Sequence, residues 1–125
     1  MRLLLDTHVI LWDFGLGKGL PGRVIQTMDH PENEVFVSMG SLWEIAIKIN
    51  AGKLDVDFET LLSNIAVANF KVLQVENAHL QKLIKLPKIH KDPFDRLLVA
   101  TAQAEGAVLL TADENIQQYD VNWLW

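Results

Sequence analysis

Four carboxylates occupy positions from which they could act together. Asp6 and Asp113 follow short apolar runs, Asp95 stands near the start of a predicted helix, and Glu44 lies on a polar stripe. No lysine or arginine is obligatory among them, so a shared cleft would need a cation or protonation of some carboxyls. Hard oxygen ligands, without cysteine or a histidine pair, select Mg²⁺ or Mn²⁺ over zinc. The residue types therefore predict a divalent-metal site.

Each acid also has a plainer explanation. Asp6 and Asp113 could be helix N-caps that accept hydrogen bonds from backbone N–H groups. Asp95 could simply favour the positive end of a helix. Glu44 and Lys48 stand four residues apart and could form a surface ion pair worth a few tenths of a kcal/mol. These alternatives stay open at the level of sequence.

The histidines offer no clearer metal site. His8, His30, His79 and His90 show no paired metal-binding spacing. Surface or packing roles are therefore predicted for all four.

Two apolar runs, residues 3–5 and 107–111, show no alternation and predict buried parallel strands. Ligands bind outside the carboxyl ends of such strands, which is where Asp6 and Asp113 stand. Further strands are predicted at 34–38, 71–75 and 121–125, and helices at 9–12, 23–30, 41–50, 58–68, 77–86 and 93–106. Crossovers of this length give an α/β fold, with a parallel sheet of four to five strands and helices on both faces.

The predicted helix 41–50 is nearly apolar all round. Only Ser41, Glu44 and Lys48 form a narrow polar stripe on it. The composition predicts that this helix is largely buried. Its polar stripe would then face either solvent or a polar cleft.

The helix that carries Asp95 has strong end signals. Asp92 suits the N-cap, Pro93 the first turn, and Gly106 the C-terminal stop. This geometry directs the Asp95 carboxylate off the N-terminal end of the helix. The Asp95 carboxylate would lie at this end of the helix whether it only favours the helix electrostatically or also belongs to a metal site.

Composition restricts the class of protein. The 125 residues are predicted to form a single domain, 1–125, and half of them are apolar. The absence of cysteine excludes disulfides, thiolate metal sites and a cysteine nucleophile, and it fits a reducing cytoplasm. No run approaches the length of a signal peptide core or a membrane span, so a cytoplasmic protein is expected.

Charge restricts the partners. A net charge of -5 argues against a broad basic surface, so any contact with nucleic acid should be local. One acid-free basic run leads into Asp95 and contains Lys82, Lys85, Lys88 and Lys91. It could be a solvated surface whose lysine stems cover apolar area, or it could contact phosphates.

Four ordered blocks of sequence resemble the motifs of PIN domains, specifically of VapC-type toxins from bacterial toxin–antitoxin pairs. The blocks are LLLDTH from residue 3, SLWEIAIK from residue 41, DPFDRLL from residue 92 and LTAD from residue 110. The resemblance spans nearly the whole chain. It is weaker at Met39 and Gly40, where the family tends to have small alanine-like residues.

The resemblance implies a PIN-like three-layer sandwich and a Mg²⁺- or Mn²⁺-dependent endoribonuclease. It carries the catalytic acids over to Asp6, Glu44, Asp95 and Asp113, with Asp6, Asp95 and Asp113 as metal ligands. Thr7 and Thr111 resemble the hydroxyl positions that support those acids. It also implies a homodimer and a cognate antitoxin that blocks the acidic cleft.

An RNA substrate would be single-stranded or looped, because A-form duplexes hide base edges from side chains. The candidate phosphate contacts are Lys48, Lys82, Lys85, Lys88, Lys91 and Arg96. Two other functions remain open: a PIN nuclease of RNA processing or idle interaction domain, and a receiver-like module that binds Mg²⁺ without catalysis. A receiver would need adjacent acids after the first strand, where this chain has Thr7 and His8.

Overall fold

The computed structural model describes residues 1–125, which form five strands and seven helices. Their order is β1 (Arg2–Leu5), α1 (Thr7–Asp13), α2 (Gly22–Asp29), β2 (Glu34–Ser38), α3 (Met39–Asn50), α4 (Phe58–Val67), β3 (Lys71–Leu73), α5 (Asn77–Ile84), α6 (Pro93–Glu105), β4 (Val108–Leu110), α7 (Glu114–Gln117) and β5 (Trp123–Leu124).

All five strands pair in parallel, in the order β3-β2-β1-β4-β5. The first strand of the chain is therefore the central one. Its Leu4 lies opposite Phe36 of β2 on one side and Leu109 of β4 on the other. The carboxyl ends of β1 and β4 consequently meet at the same edge of the sheet.

The two faces of the sheet bury separate apolar cores. Leu3 and Leu5 belong to a core covered by α1, α2, α3 and α4, whereas Leu4 belongs to one covered by α6 and α7. Helix α5 packs against α6. Burial of both faces explains why β1 shows no alternation, and the predicted three-layer α/β fold is confirmed.

Helix α6 begins and ends where the sequence predicts. Asp92 accepts hydrogen bonds from the backbone N–H groups of Phe94 (2.8 Å) and Asp95 (3.1 Å). Gly106 ends the helix in the left-handed conformation, with φ 63°. An N-cap of this kind contributes about 1 kcal/mol, so Asp95 is held on a well-formed helix end.

Helix α3 begins at Met39, two residues before the predicted start. Ser38 is its N-cap and accepts from the N–H of Gly40 (3.0 Å). A Cβ on Gly40 would lie 2.8 Å from Leu97 Cδ2. The glycine thus allows α3 to approach α6 closely, which accounts for the departure from the family pattern at this point.

The prediction that α3 is largely buried is wrong for one of its faces. Trp43 is 61% exposed, Ile47 44% and Met39 37%, whereas the polar Ser41 and Glu44 are buried. The ring of Phe94 contacts Trp43 with ring centroids 5.2 Å apart, but the apolar face stays largely exposed. The predicted polar stripe faces inward, toward the ends of the strands.

The remaining differences lie at the ends of elements. Strand β3 stops at Leu73 because it pairs only with Phe36–Ser38 of β2, and β5 contains just two residues. Helix α5 ends at Ile84 and α4 at Val67, each earlier than predicted. The short helix α7 was not predicted as an element. None of the helices has the length and apolarity needed to cross a bilayer.

Candidate metal centre

Asp6 lies at the carboxyl tip of β1 and is buried. Its Oδ1 accepts from the N–H of His8 (3.1 Å), and its Oδ2 accepts from the hydroxyl of Thr111 (2.7 Å). Asp6 is therefore the N-cap of α1, as the plainer explanation requires. The bond to Thr111 also joins it to the tip of β4.

Thr111 holds a second acid in place. Its hydroxyl oxygen accepts from the N–H of Asp113 (3.0 Å), and Asp113 in turn caps α7 by accepting from the N–H of Asn115 (2.8 Å). The half-buried Asp113 side chain stays at the edge of the sheet. One threonine hydroxyl thus fixes the relative positions of Asp6 and Asp113.

Asp95 is buried at the N-terminal end of α6. Its pKa is raised to about 7. Burial is the largest cause, and the charges of Asp92, Asp6, Asp113 and Glu44 add to it. The four predicted acids therefore converge. We call the space between Asp6, Glu44, Asp95 and Asp113 the acid cleft.

Glu44 reaches the acid cleft from α3 with one oxygen paired and one free. Oε2 lies 3.1 Å from Lys48 Nζ, whereas Oε1 is buried and has no hydrogen-bond partner. The ion pair between Glu44 and Lys48 that the spacing predicts is thus formed. The pair is not a surface pair, because Glu44 is only 6% exposed.

Thr7 performs a related role one residue after Asp6. Its hydroxyl donates to Ser41 Oγ (2.9 Å), and both side chains are buried. This bond ties the start of α1 to α3. It holds the helix that carries Glu44 against the strand that carries Asp6.

His90 joins the acids, and the sequence did not predict it. Its Nε2 lies 3.1 Å from Asp95 Oδ2, and ligand atoms of His90, Asp95 and Asp113 all lie within 4.8 Å of one another. The available clue was position, since residue 90 stands two residues before the N-cap of α6. The structure thus places His90 beside two of the predicted acids.

His8 is exposed, as a surface role predicts, although its ring also approaches Asp6. Its Nδ1 is 3.6 Å from Asp6 Oδ1. The pKa of His8 is raised, chiefly by its hydrogen bond with Asp6. His79 is a buried packing residue as predicted, and His30 is exposed.

The structure separates the four lysines of the basic run. Lys82 lies beside Ala102 and Lys85 beside Ala104, in the C-terminal half of α6. A helix rises 1.5 Å per residue, so this region is roughly 13 Å from Asp95 along the axis. The exposed Lys88 and Lys91 instead lie in the loop that carries His90.

Arg96 is directed toward that loop. Its Nη1 donates to the carbonyl of Pro87 (2.9 Å) and to Tyr119 Oη (3.2 Å). Arg96 therefore holds backbone in place. It is engaged within the chain at the position for which the sequence suggested a phosphate contact.

The side chains of the acid cleft suit a divalent cation. The carboxylates of Asp95 and Asp113 and the imidazole of His90 can supply ligand atoms, and the free Oε1 of Glu44 is a buried acceptor that an ion or its water could satisfy. Burial and, after it, the neighbouring carboxylates raise the pKa of Asp95, so a bound cation would favour its charged form. The donor set fits the ion that the sequence predicts.

Comparison with known proteins gives a consistent result. The family model described as "PIN domain" matches residues 3–122. A structure of VapBC2 from Rickettsia felis bound to a promoter DNA fragment contains a chain that superposes with a TM-score of 0.79 at 15% identity, covering 100% of this chain and 99% of that chain. A chain of VapBC-1 from nontypeable Haemophilus influenzae gives 0.70 at 19%, covering 99% and 97%.

A chain of the DNA-bound VapBC from Salmonella typhimurium gives a TM-score of 0.68 at 14% identity, with coverage of 99% and 97%. No curated protein matches the sequence. At these identities the structural neighbours establish the fold of the chain.

Proposed function

The chain belongs to the PIN domain family, and from this premise we propose that it is a Mg²⁺- or Mn²⁺-dependent endoribonuclease, the toxin of a toxin–antitoxin pair. The observation that supports the proposal best is the acid cleft itself. Four carboxylates converge at the carboxyl edge of a parallel sheet, with one buried oxygen left unpartnered. Bringing four carboxylates together destabilises the folded protein unless a bound cation neutralises part of their charge.

Asp6, Asp95 and Asp113 would hold the ion. The chemistry that it supplies when bound is activation of water as a nucleophile and neutralisation of phosphate charge. Glu44 would orient the attacking water and accept its proton through Oε1, the carboxylate oxygen that Lys48 leaves free. Thr111 keeps Asp6 oriented, since its hydroxyl donates to the Asp6 carboxylate.

A direct assay tests this function. Purified protein should cleave single-stranded RNA internally when Mg²⁺ or Mn²⁺ is present and should stop when EDTA is added. Sequencing of RNA ends after induced expression would identify the target and cleavage site. Failure to cleave any cellular RNA, in a folded protein supplied with both ions, would contradict the nuclease proposal.

Glu44 and Lys48 should respond differently to mutation. We expect Glu44→Gln to lower the cleavage rate by about a hundredfold or more, the range for loss of a general base. Lys48→Ala should cost much less, because the Lys48 side chain is 40% exposed and water can replace its ammonium group beside Glu44. Single-turnover rates on one RNA would measure both. Equal, small losses would reduce Glu44 to a structural ion pair.

The two halves of the basic run provide a matched pair of variants. If Lys88 and Lys91 contact phosphates of single-stranded RNA, replacing both with alanine should flatten the log–log salt dependence of binding by roughly 1.4. The same replacement of Lys82 and Lys85 should leave the slope unchanged. Binding titrations at several salt concentrations, with EDTA to prevent cleavage, would measure both. Equal slopes in the two variants would leave all four lysines as solvated surface.

An antitoxin and a second copy of the chain are the proposed protein partners. Support comes from structural neighbours that are described as VapBC complexes. Co-expression with the product of a small neighbouring reading frame should relieve toxicity. Sedimentation of the purified chain should give the mass of two copies, and we place the pair in the cytoplasm, where its RNA is made.

Membership of the PIN family rules out the receiver-like module. A PIN nuclease of RNA processing would share the acid cleft but would not arrest growth when expressed alone. Growth after induction therefore separates that alternative from a toxin.

A further inference from the structure

His90 presents its imidazole to the acid cleft from outside the elements that carry the acids. It lies in the loop between α5 and α6, and its side chain is about one quarter exposed, 26%. Its Nε2 lies 3.1 Å from Asp95 Oδ2, and Asp113 completes a group of three within 4.8 Å. The role proposed for the four acids does not use this side chain.

The loop holds His90 in one position. The backbone N–H of His90 donates to Tyr119 Oη (2.9 Å), and the Tyr119 ring is buried at 4% exposure. Arg96 donates to the carbonyl of Pro87 and to the same tyrosine oxygen. The backbone of the loop is therefore fixed at Pro87 and at His90 itself by residues that do not line the acid cleft.

We propose that His90 is a protein ligand of the cation, binding it through Nε2 together with Asp95 and Asp113. The inference rests on the proposed function in one respect, that a divalent ion occupies the acid cleft. Ligand atoms bound at about 2.1 Å lie about 3.0 Å apart when adjacent and about 4.2 Å apart when opposite. The His90–Asp95 separation of 3.1 Å already has the adjacent spacing.

A second observation indicates that a ligand belongs at this point. Glu44 is more than nine-tenths buried, and its Oε1 has no partner although its charge acts on Asp95. An ion held by His90, Asp95 and Asp113 would bring a positive charge and bound water to this oxygen. The imidazole and the free carboxylate oxygen thus border the same space, the first from the loop before α6 and the second from α3.

A nitrogen ligand changes which ions the acid cleft should prefer. Imidazole suits the later divalent metals, and affinity rises from Mn²⁺ to Co²⁺, whereas Mg²⁺ favours oxygen ligands and keeps its water. His90 should therefore raise the affinity for Co²⁺ and Mn²⁺ relative to Mg²⁺. An all-carboxylate site would show a smaller bias.

The test compares metal binding by the full chain with and without the imidazole. Co²⁺ and Mg²⁺ are titrated calorimetrically at pH 8 into wild type, His90→Ala and the control His30→Ala, an exposed histidine at the opposite edge of the sheet. We expect His90→Ala to lose about ten- to a hundredfold in Co²⁺ affinity, since even outer-shell partners contribute that much. Its Mg²⁺ affinity should change less than threefold, and His30→Ala should match wild type.

A spectroscopic measurement on the wild-type protein tests the ligand role even if His90→Ala folds poorly. Mn²⁺-loaded protein with ¹⁵N-labelled histidine should show directly bonded nitrogen coupling by pulsed electron paramagnetic resonance. Weaker Co²⁺ binding without that coupling, or wild-type binding by His90→Ala, would overturn the ligand role and leave the proposed nuclease standing. Wild type that binds no divalent ion would overturn both.

Discussion

Replacement of Asp6 by asparagine should abolish metal-dependent RNA cleavage, with a rate loss of about a thousandfold or more, while the protein stays folded. The magnitude corresponds to losing about 4 kcal/mol of stabilisation, as expected when an ion is displaced. The fold should survive because an asparagine oxygen can still accept from the N–H of His8 and cap α1. The amide can still bond the Thr111 hydroxyl, which lies 2.7 Å from the carboxylate.

The control for this experiment is Asp55→Asn, which neutralises an exposed acid outside the acid cleft. Both variants should give wild-type circular dichroism, and only Asp6→Asn should lose cleavage and cellular toxicity. Retained toxicity of Asp6→Asn at normal expression would remove Asp6 from the catalytic set.

Asp95→Asn should raise the melting temperature of the metal-free protein and weaken its response to Mn²⁺. The increase should be roughly 3–5 °C, the shift that about 1 kcal/mol produces in a domain of this size. Saturating wild type with Mn²⁺ at a hundred times its dissociation constant should add about 2.7 kcal/mol, or roughly 10 °C. A carboxylate that served only as a helix-end charge would behave oppositely, because its loss would destabilise the protein.

The pH dependence follows from the raised pKa of Asp95, about 7 in the folded protein against an ordinary 3.8. The folded state holds this proton more tightly, so the associated stability is present below pH 3.8 and is lost as the pH rises to about 7. The advantage of Asp95→Asn should therefore be absent near pH 3 and largest above pH 7. The stabilisation by Mn²⁺ should grow over the same interval, since the ion competes with the proton.

Thermal melts of wild type, Asp95→Asn and Asp55→Asn, with EDTA and with Mn²⁺ at several pH values, would measure these effects. Asp55→Asn should reproduce wild type throughout. A wild-type midpoint that ignores Mn²⁺ would contradict the shared metal site.

The fold could be predicted because its signals are local. Uninterrupted leucines in β1 indicated a strand buried on both faces, and the Asp92 and Gly106 signals located both ends of α6. Parallel strands end at one edge, so the convergence of Asp6 and Asp113 followed from the predicted topology.

The parts that sequence failed to predict depend on tertiary placement. The apolar composition of α3 predicts a helix but not its rotation about its own axis. It therefore could not show that Trp43 is exposed while Glu44 is buried. His90 reaches Asp95 through an irregular loop, for which no periodic pattern exists. The positive charge of Arg96 predicts a phosphate contact, but in the folded chain its guanidinium donates to the backbone carbonyl of Pro87.

The central position of β1 determines when the acid cleft can form during synthesis. Asp6 is made early, yet the hydroxyl that orients it belongs to Thr111, 105 residues later. At typical elongation rates of 5–20 residues per second, roughly 5–20 s separate Asp6 from Asp113 on the ribosome. A nascent chain must therefore leave its first strand unpaired with β4 throughout that interval, and its acid cleft stays incomplete until residues 108–113 have emerged.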